Sequence, residues 1–228
     1  MPPDRFIKKT RRRARLFALL ALLAGCTTSV ETQLETASLE MQQGAYEHAV
    51  EIYTEVLRKV PDAPRIHNNL GFALMQLGRY EESLPHFAAA AENQHGDHPD
   101  PALLHNWGTA LEKLERFEEA AEKYAAAAEA DPTSAPVQVG WGNALSHLEK
   151  YEEAVERYSE AVGLDPNSSV AWFNLGYTQE QLGRHDEAVI SYQTFLSIGT
   201  EGPSNLHEHA RNFVAQAQAA GRTGGLGL

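Results

Sequence analysis

The chain of 228 residues contains one cysteine, Cys26, which directly follows the apolar run LFALLALLAG at residues 16–25. A single thiol has no partner for a disulfide bond within its own chain. Cys26 is therefore a packed apolar side chain, a reactive thiol or a point of covalent modification. The sequence around it has to decide between these roles.

Histidine side chains offer a second kind of chemistry. The segment NQHGDHPDPALLH holds three imidazoles and two carboxylates within eleven residues: His95, Asp97, His98, Asp100 and His105. Both groups bind divalent metals, so a metal-binding protein or enzyme built on the His95–His105 loop is one interpretation. A polar connecting loop, turned at Gly96 and Pro99, is the other, because no spacing here is typical of a metal site.

Motifs for other chemistry do not occur in the sequence. It contains no P-loop, no Gly-x-Ser-x-Gly, no His-Glu-x-x-His and no Cys-x-x-Cys. His207 and His209 lie two positions apart on a predicted helix, so they point in different directions, and we expect both to be solvated. We therefore predict that the protein is not an enzyme and needs no cofactor, metal or small-molecule substrate.

Residues 1–25 have the parts of an export signal. Seven of the first 15 side chains are basic, the apolar segment at 16–25 follows, and small residues precede Cys26. Ten apolar residues are too few to span a bilayer as a helix. The sequence therefore predicts a signal peptide at 1–25.

The segment Leu23-Ala24-Gly25-Cys26 resembles the lipobox of bacterial lipoprotein precursors. The resemblance implies cleavage before Cys26, transfer of a diacylglycerol to its thiol, acylation of its new amino group with a fatty acid such as palmitate, and a lipidated tether at 26–29. Thr27 stands where an aspartate would resemble an inner-membrane retention signal. The resemblance therefore favours the periplasmic side of the outer membrane over the inner membrane.

The charge of the mature chain limits its partners. Loss of residues 1–25 removes seven basic side chains and one acidic one, and leaves 12 basic and 30 acidic residues with a formal charge near −18. Phosphate groups are bound by Lys and Arg, so this chain repels nucleic acid and anionic headgroups. We exclude nucleic acid as a partner and expect the acyl chains to make the membrane contact.

Beyond residue 30 the sequence repeats itself. Aromatic residues recur at spacings of 34, 37, 34 and 34 positions, at Tyr53, Phe87, Tyr124, Tyr158 and Tyr192. Glycines recur in the same phase at Gly71, Gly108, Gly142 and Gly176. The pattern resembles the tetratricopeptide repeat, a helix–turn–helix unit of 34 residues. The resemblance covers nearly all of the mature chain and implies an all-α, right-handed superhelical solenoid.

Five repeat units are predicted, at 30–63, 64–97, 101–134, 135–168 and 169–202. The first is degenerate, because Ala37 stands where glycine is expected. Phe195 stands where earlier units have alanine, and a larger residue can cover the end of the stack. Residues 203–220 carry apolar residues at helical spacing and predict a capping helix, and 221–228 are predicted to be a mobile tail.

The resemblance also implies a binding surface, because in this family the first helix of each unit lines a groove that receives a segment of a partner protein. Asparagines recur there at Asn69, Asn106 and Asn174, with Gly140 in the fourth unit. Side-chain amides offer a donor and an acceptor, so these asparagines could bind a peptide backbone. The alternative is that asparagine is merely tolerated at a polar position of the repeat. The predicted groove residues are Asn68, Asn69, Phe72, His105, Asn106, Asn143, Phe173, Asn174 and Tyr177.

A lipid anchor joined to a repeat array resembles the lipoproteins that assist type IV or Flp pilus assembly, including pilotins that deliver or assemble the secretin ring. The resemblance implies a protein–protein interaction scaffold at the outer membrane. An adaptor that recruits peptidoglycan hydrolases or other envelope enzymes is the alternative, and the sequence does not separate the two roles.

Overall fold

The computed structural model describes residues 29–92, 100–198 and 204–224. Within these ranges the chain forms eleven α-helices and no strand, which confirms the predicted all-α fold. None of the helices in these ranges is both long and apolar enough to cross a membrane. The predicted signal peptide, Cys26 and three residues of the histidine loop (His95, Asp97 and His98) lie outside the described residues.

Ten of the described helices pair into five hairpins. The pairs are α1 (Val30–Gln42) with α2 (Tyr46–Leu57), α3 (Pro64–Gln76) with α4 (Tyr80–Glu92), α5 (Pro101–Lys113) with α6 (Phe117–Ala130), α7 (Ala135–His147) with α8 (Tyr151–Leu164), and α9 (Ser169–Gln181) with α10 (His185–Ser197). The eleventh helix is α11 (Ser204–Gly224). The first helix of each hairpin begins at the first residue of a predicted repeat unit.

The chain divides into two compact units, residues 1–62 and 63–228. The described part of the first unit is the α1–α2 hairpin. Its buried side chains are Ala37, Ala49, Tyr53 and Val56. Ala37 is completely buried, so the hairpin accommodates a methyl group at the position that is glycine in the later repeats.

In the second unit, an aromatic ring from the second helix of each hairpin lies against the glycine of the first helix. A Cβ added to Gly142 would come within 2.6 Å of the Tyr158 ring. Glycine inside a helix costs about 1 kcal/mol relative to alanine, and the approach of the ring explains why it is present. The pairs are Gly71 with Phe87, Gly108 with Tyr124, Gly142 with Tyr158, and Gly176 with Tyr192.

The turns inside the hairpins require a left-handed residue. In the third hairpin, the Arg116 amide donates to the Leu111 carbonyl and the Glu115 amide donates to the Glu112 carbonyl, both at 3.0 Å. This is the Schellman arrangement, in which the residue after the helix has positive φ. Glycine takes that position at Gly78 and Gly183, whereas Glu115 and Glu149 adopt it with φ of 58°.

Helix α11 packs on the last hairpin, where Ala210 and Val214 join Tyr192 and Phe195 in one apolar cluster. The helix begins at Ser204 and ends at Gly224, whereas the sequence predicted a cap at 203–220 followed by a mobile tail. Residues 215–220 read AQAQAA. Alanine and glutamine are strong helix formers, so the last turns of the predicted cap are helical.

Candidate functional site

The first helices of successive hairpins in the second unit, α3, α5, α7 and α9, contact one another in a row. Two recesses open along this row. The larger, of about 760 Å³, lies between α7, α8, α9 and α11. The smaller, of about 340 Å³, is lined by residues of α5, α6, α7 and α9. Asn143 lines both recesses, so they form one continuous surface.

Five of the predicted groove residues line these recesses. Asn143, Phe173, Asn174 and Tyr177 meet in the larger one. His105 lines the smaller one together with Asn143. The structure therefore brings the predicted residues of the fourth and fifth repeats together, and their role in binding stays a prediction.

The remaining four predicted residues line neither recess. They are Asn68, Asn69, Phe72 and Asn106. Phe72 packs against the apolar cluster around Phe87. The Oδ1 atom of Asn68 is buried and has no hydrogen-bond partner within the described residues.

A hydrogen-bond network fixes the asparagine side chains of the larger recess. The Oδ1 atom of Asn143 accepts hydrogen bonds from the Tyr158 hydroxyl at 2.8 Å and from Nδ2 of Asn174 at 2.9 Å. Both acceptor directions of that oxygen are thus used. The Asn143 amide group then presents its N–H donors, and Asn174 presents its carbonyl oxygen.

The Tyr158 hydroxyl remains a neutral donor in this network. Burial raises the pKa of Tyr158 far above its usual value, and the charge of Glu112 acts in the same direction. The phenol therefore keeps its proton at physiological pH. Because this donor is fixed by the core, the orientation of the Asn143 amide is set by the fold.

Aromatic rings form the apolar part of the larger recess. The Phe173 ring lies 5.7 Å from that of Tyr192 and 5.3 Å from that of Phe195, measured between centroids. Tyr177 is 42% exposed, although large apolar or aromatic side chains are usually covered. The recess thus combines oriented amides with an accessible aromatic surface.

His209 also lines this recess, although the sequence predicted that His207 and His209 are solvated. The Nε2 atom of His209 lies 2.9 Å from Oε2 of Glu180 and 3.1 Å from the Tyr192 hydroxyl. His207 packs against Phe195, with ring centroids 4.7 Å apart. Both imidazoles therefore contact the last hairpin, which the sequence did not predict, and the His209 side chain stays 41% exposed.

The recesses carry little positive charge. None of the described side chains that line the larger recess is Lys or Arg, and Glu149 lies at its edge. The smaller recess contains Lys113 together with Glu112 and Asp165. The formal charge of the side chains that line the two recesses is therefore negative, in keeping with the net charge of −12 of the chain.

Two of the five residues predicted for the metal loop, Asp100 and His105, lie in the described part of the chain. The Asp100 carboxylate accepts a hydrogen bond from the Ala102 amide at 2.9 Å and caps α5. The His105 ring packs against Tyr124, with centroids 5.7 Å apart. Among the described residues no group of three or more His, Cys, Asp or Glu side chains is placed to hold a metal ion.

Comparison with protein families identifies repeats along most of the chain. A family model described as a tetratricopeptide repeat matches residues 62–133, and another with the same description matches 169–198. A model described as a TPR repeat matches 37–78 and 142–183. These matches together cover more than half of the chain. A comparison with curated protein sequences gives no match.

Several solved structures share the fold. The crystal structure of MamA protein is 18% identical, with a TM-score of 0.69 over 74% of this chain and 91% of that one. A MamA structure from Desulfovibrio magneticus RS-1 is 21% identical, with a TM-score of 0.69 over 74% and 94%. YrrB, described as a TPR protein with an unusual peptide-binding site, is 20% identical, with a TM-score of 0.69 over 79% and 90%.

Proposed function

Because the chain belongs to the tetratricopeptide repeat family, we propose that it is a scaffold that holds a segment of a partner protein in the larger recess. Such repeats typically serve as non-catalytic interaction surfaces. The observation that carries the proposal is the oriented amide pair. Asn143 presents donors and Asn174 presents an acceptor, which together match the carbonyl and N–H of a peptide backbone.

The surroundings of the amide pair favour a segment that is neutral or basic. Glu149 and the charges of the smaller recess would repel an acidic segment. The exposed Tyr177 ring offers a contact for an aromatic, aliphatic or cationic side chain. The proposed ligand is therefore an extended segment with Lys or Arg next to an apolar residue.

A photo-crosslinking amino acid at Tyr177 tests this proposal in cells. Tyr177 lines the recess, whereas Ile190 on α10 is 62% exposed and does not line it, so the same probe at Ile190 is the matched control. We expect a discrete crosslinked partner at position 177 that is missing at position 190. Equal capture at both positions, or none at 177, would contradict the proposal.

We further propose that the mature protein is lipidated at Cys26 and lies on the periplasmic side of the outer membrane. The lipobox Leu23-Ala24-Gly25-Cys26 and the export signal before it support this. A Cys26→Ser precursor should stay uncleaved and lose labelling by radioactive palmitate. Continued labelling of this variant would disprove the lipid attachment.

The role proposed for the anchored scaffold is assembly of an outer-membrane machine such as a type IV or Flp pilus secretin. The support is the combination of a lipobox with a protein-binding repeat array, and folds alone do not fix function. Secretin multimers should decrease when the gene is deleted and return with the wild-type copy. Unchanged multimers, with peptidoglycan hydrolases as the partner crosslinked at Tyr177, would favour the adaptor role instead.

A further inference from the structure

Two histidines of the second repeat face each other outside both recesses. Nδ1 of His67 on α3 and Nδ1 of His86 on α4 lie 3.1 Å apart, so that one ring donates a hydrogen bond to the other. Their rings are stacked, with centroids 5.3 Å apart and an angle of 28° between the planes. Both side chains are partly buried, so the core of the hairpin limits their movement.

The separation of the two nitrogens suits a shared metal ion. Zinc binds imidazole nitrogen at about 2.0–2.1 Å, so two nitrogens 3.1 Å apart would subtend about 95–100° at the ion. This angle lies between the ideal octahedral and tetrahedral values. Imidazole is a preferred ligand for zinc, copper and nickel, and both ligands come from well-packed helices.

An acidic side chain lies near the pair, and it is already part of an ion pair. Glu82 lies one helical turn before His86, and its negative charge acts on the imidazole. The Glu82 carboxylate is itself held by Arg79, with Nε to Oε1 at 2.7 Å.

We propose that His67 and His86 form a chelating site for a divalent transition-metal ion, with water completing the coordination sphere. The site joins the two helices of one hairpin. Its ligands are different residues from those of the metal loop predicted at His95–His105, and it does not depend on the proposed partner-binding function. Because the ion binds the folded hairpin and both ligands at once, it also stabilises the fold.

Calorimetric titration of the purified full-length chain with Ni²⁺ tests the site. We expect one equivalent to bind, and His67→Gln and His86→Gln each to weaken it. Mutation of a residue that only hydrogen-bonds a metal ligand lowers metal affinity by about 10–100-fold. Loss of a ligand itself should therefore lower the affinity at least about tenfold. The matched control is His48→Gln, since His48 is half-exposed and paired with Glu40; it should retain the affinity.

Two further measurements make the result decisive. A His95→Gln/His98→Gln variant should bind normally, whereas loss of binding there would overturn the assignment in favour of the loop. The electron paramagnetic resonance spectrum of Cu²⁺ at one equivalent should show two equatorial nitrogen ligands in the parent chain. A spectrum with a single nitrogen, or titration without binding, would also overturn the proposal, and neither result depends on whether a variant folds.

Discussion

The ring of Tyr124 reaches past its own hairpin and lies against Gly140 of the next one. A Cβ built on Gly140 would come within 2.6 Å of two ring carbons, closer than the 2.9 Å found at Gly108 in the same hairpin as Tyr124. The space beside Gly140, the glycine in the asparagine ladder, is therefore occupied by the Tyr124 ring. An asparagine at position 140 would collide with the ring.

Gly140→Ala should destabilise the protein by about 1–3 kcal/mol, because overpacking forces the Tyr124 ring and its helix to move. The matched control is Gly163→Ala on α8, where an added Cβ meets nothing within 4 Å. That change should raise stability by up to about 1 kcal/mol, since alanine is the better helix former. Urea unfolding measures both. Equal effects of the two substitutions would show that the ring does not set the residue at 140.

This contact also shows where sequence reasoning stops. Aligned repeats compare each position with the same position in other units, so Gly140 was interpreted as an interruption of the Asn69, Asn106 and Asn174 ladder. The ring that fills the space belongs to the preceding unit. The first residues of the repeat units follow from the period of the sequence, whereas contacts between side chains, within a unit and across units, depend on side-chain reach.

Glu115→Gly should stabilise the protein. Glu115 has φ of 58°, a left-handed conformation that costs about 1–2 kcal/mol for a residue with a Cβ. Glycine removes this cost but loses about 0.5–1 kcal/mol through the entropy of the unfolded chain. The expected net gain is about 0.5–1 kcal/mol, read as a higher melting temperature.

Gly183→Ala provides the reverse control for this turn, because Gly183 occupies the same left-handed position with φ of 70° and an open side-chain environment. The alanine should lower stability through backbone strain alone. Opposite signs for Glu115→Gly and Gly183→Ala are expected. If both substitutions lowered the melting temperature, strain at the turn would not be the controlling factor.

The capping helix shows a second limit of the sequence. A spacing of two residues on a helix predicted different directions for His207 and His209, but it did not show that both imidazoles contact the last hairpin. His209 contacts Glu180 and Tyr192 because α11 packs against α9 and α10. The sequence around His209 does not indicate these contacts, because they depend on how α11 packs against the last hairpin.

Stability should fall on acidification through His105. Burial lowers the pKa of His105 below that of an exposed imidazole, and the hydrogen bond with Asn106 opposes this only in part. Below about pH 6.5 the unfolded chain therefore binds more protons than the folded one, so the free energy of unfolding decreases as pH drops toward the folded pKa. The contribution is constant above that window.

Chemical unfolding of the parent and of His105→Gln between pH 5 and 8.5 measures this term. The variant cannot titrate at position 105, so the stability difference should stay flat from pH 7.5 to 8.5 and change below about pH 6.5 in the direction that disfavours the parent. Contributions of the other ionisable groups largely cancel in the difference. A difference that is flat down to pH 5 would contradict the lowered pKa.

The hydrogen bond between the Tyr158 hydroxyl and Asn143 should show as coupling in a double-mutant cycle. Tyr158→Phe removes the donor and Asn143→Ala removes the acceptor; we expect a coupling energy of about 0.5–1.5 kcal/mol from urea unfolding, the usual value of a net hydrogen bond. The control cycle pairs Tyr158→Phe with Ser83→Ala. Ser83 donates to the Tyr80 carbonyl in another repeat, so those two changes should be additive. No coupling at Asn143 would mean that the fold does not orient its amide, and the peptide-backbone match proposed for the recess would lose its physical basis.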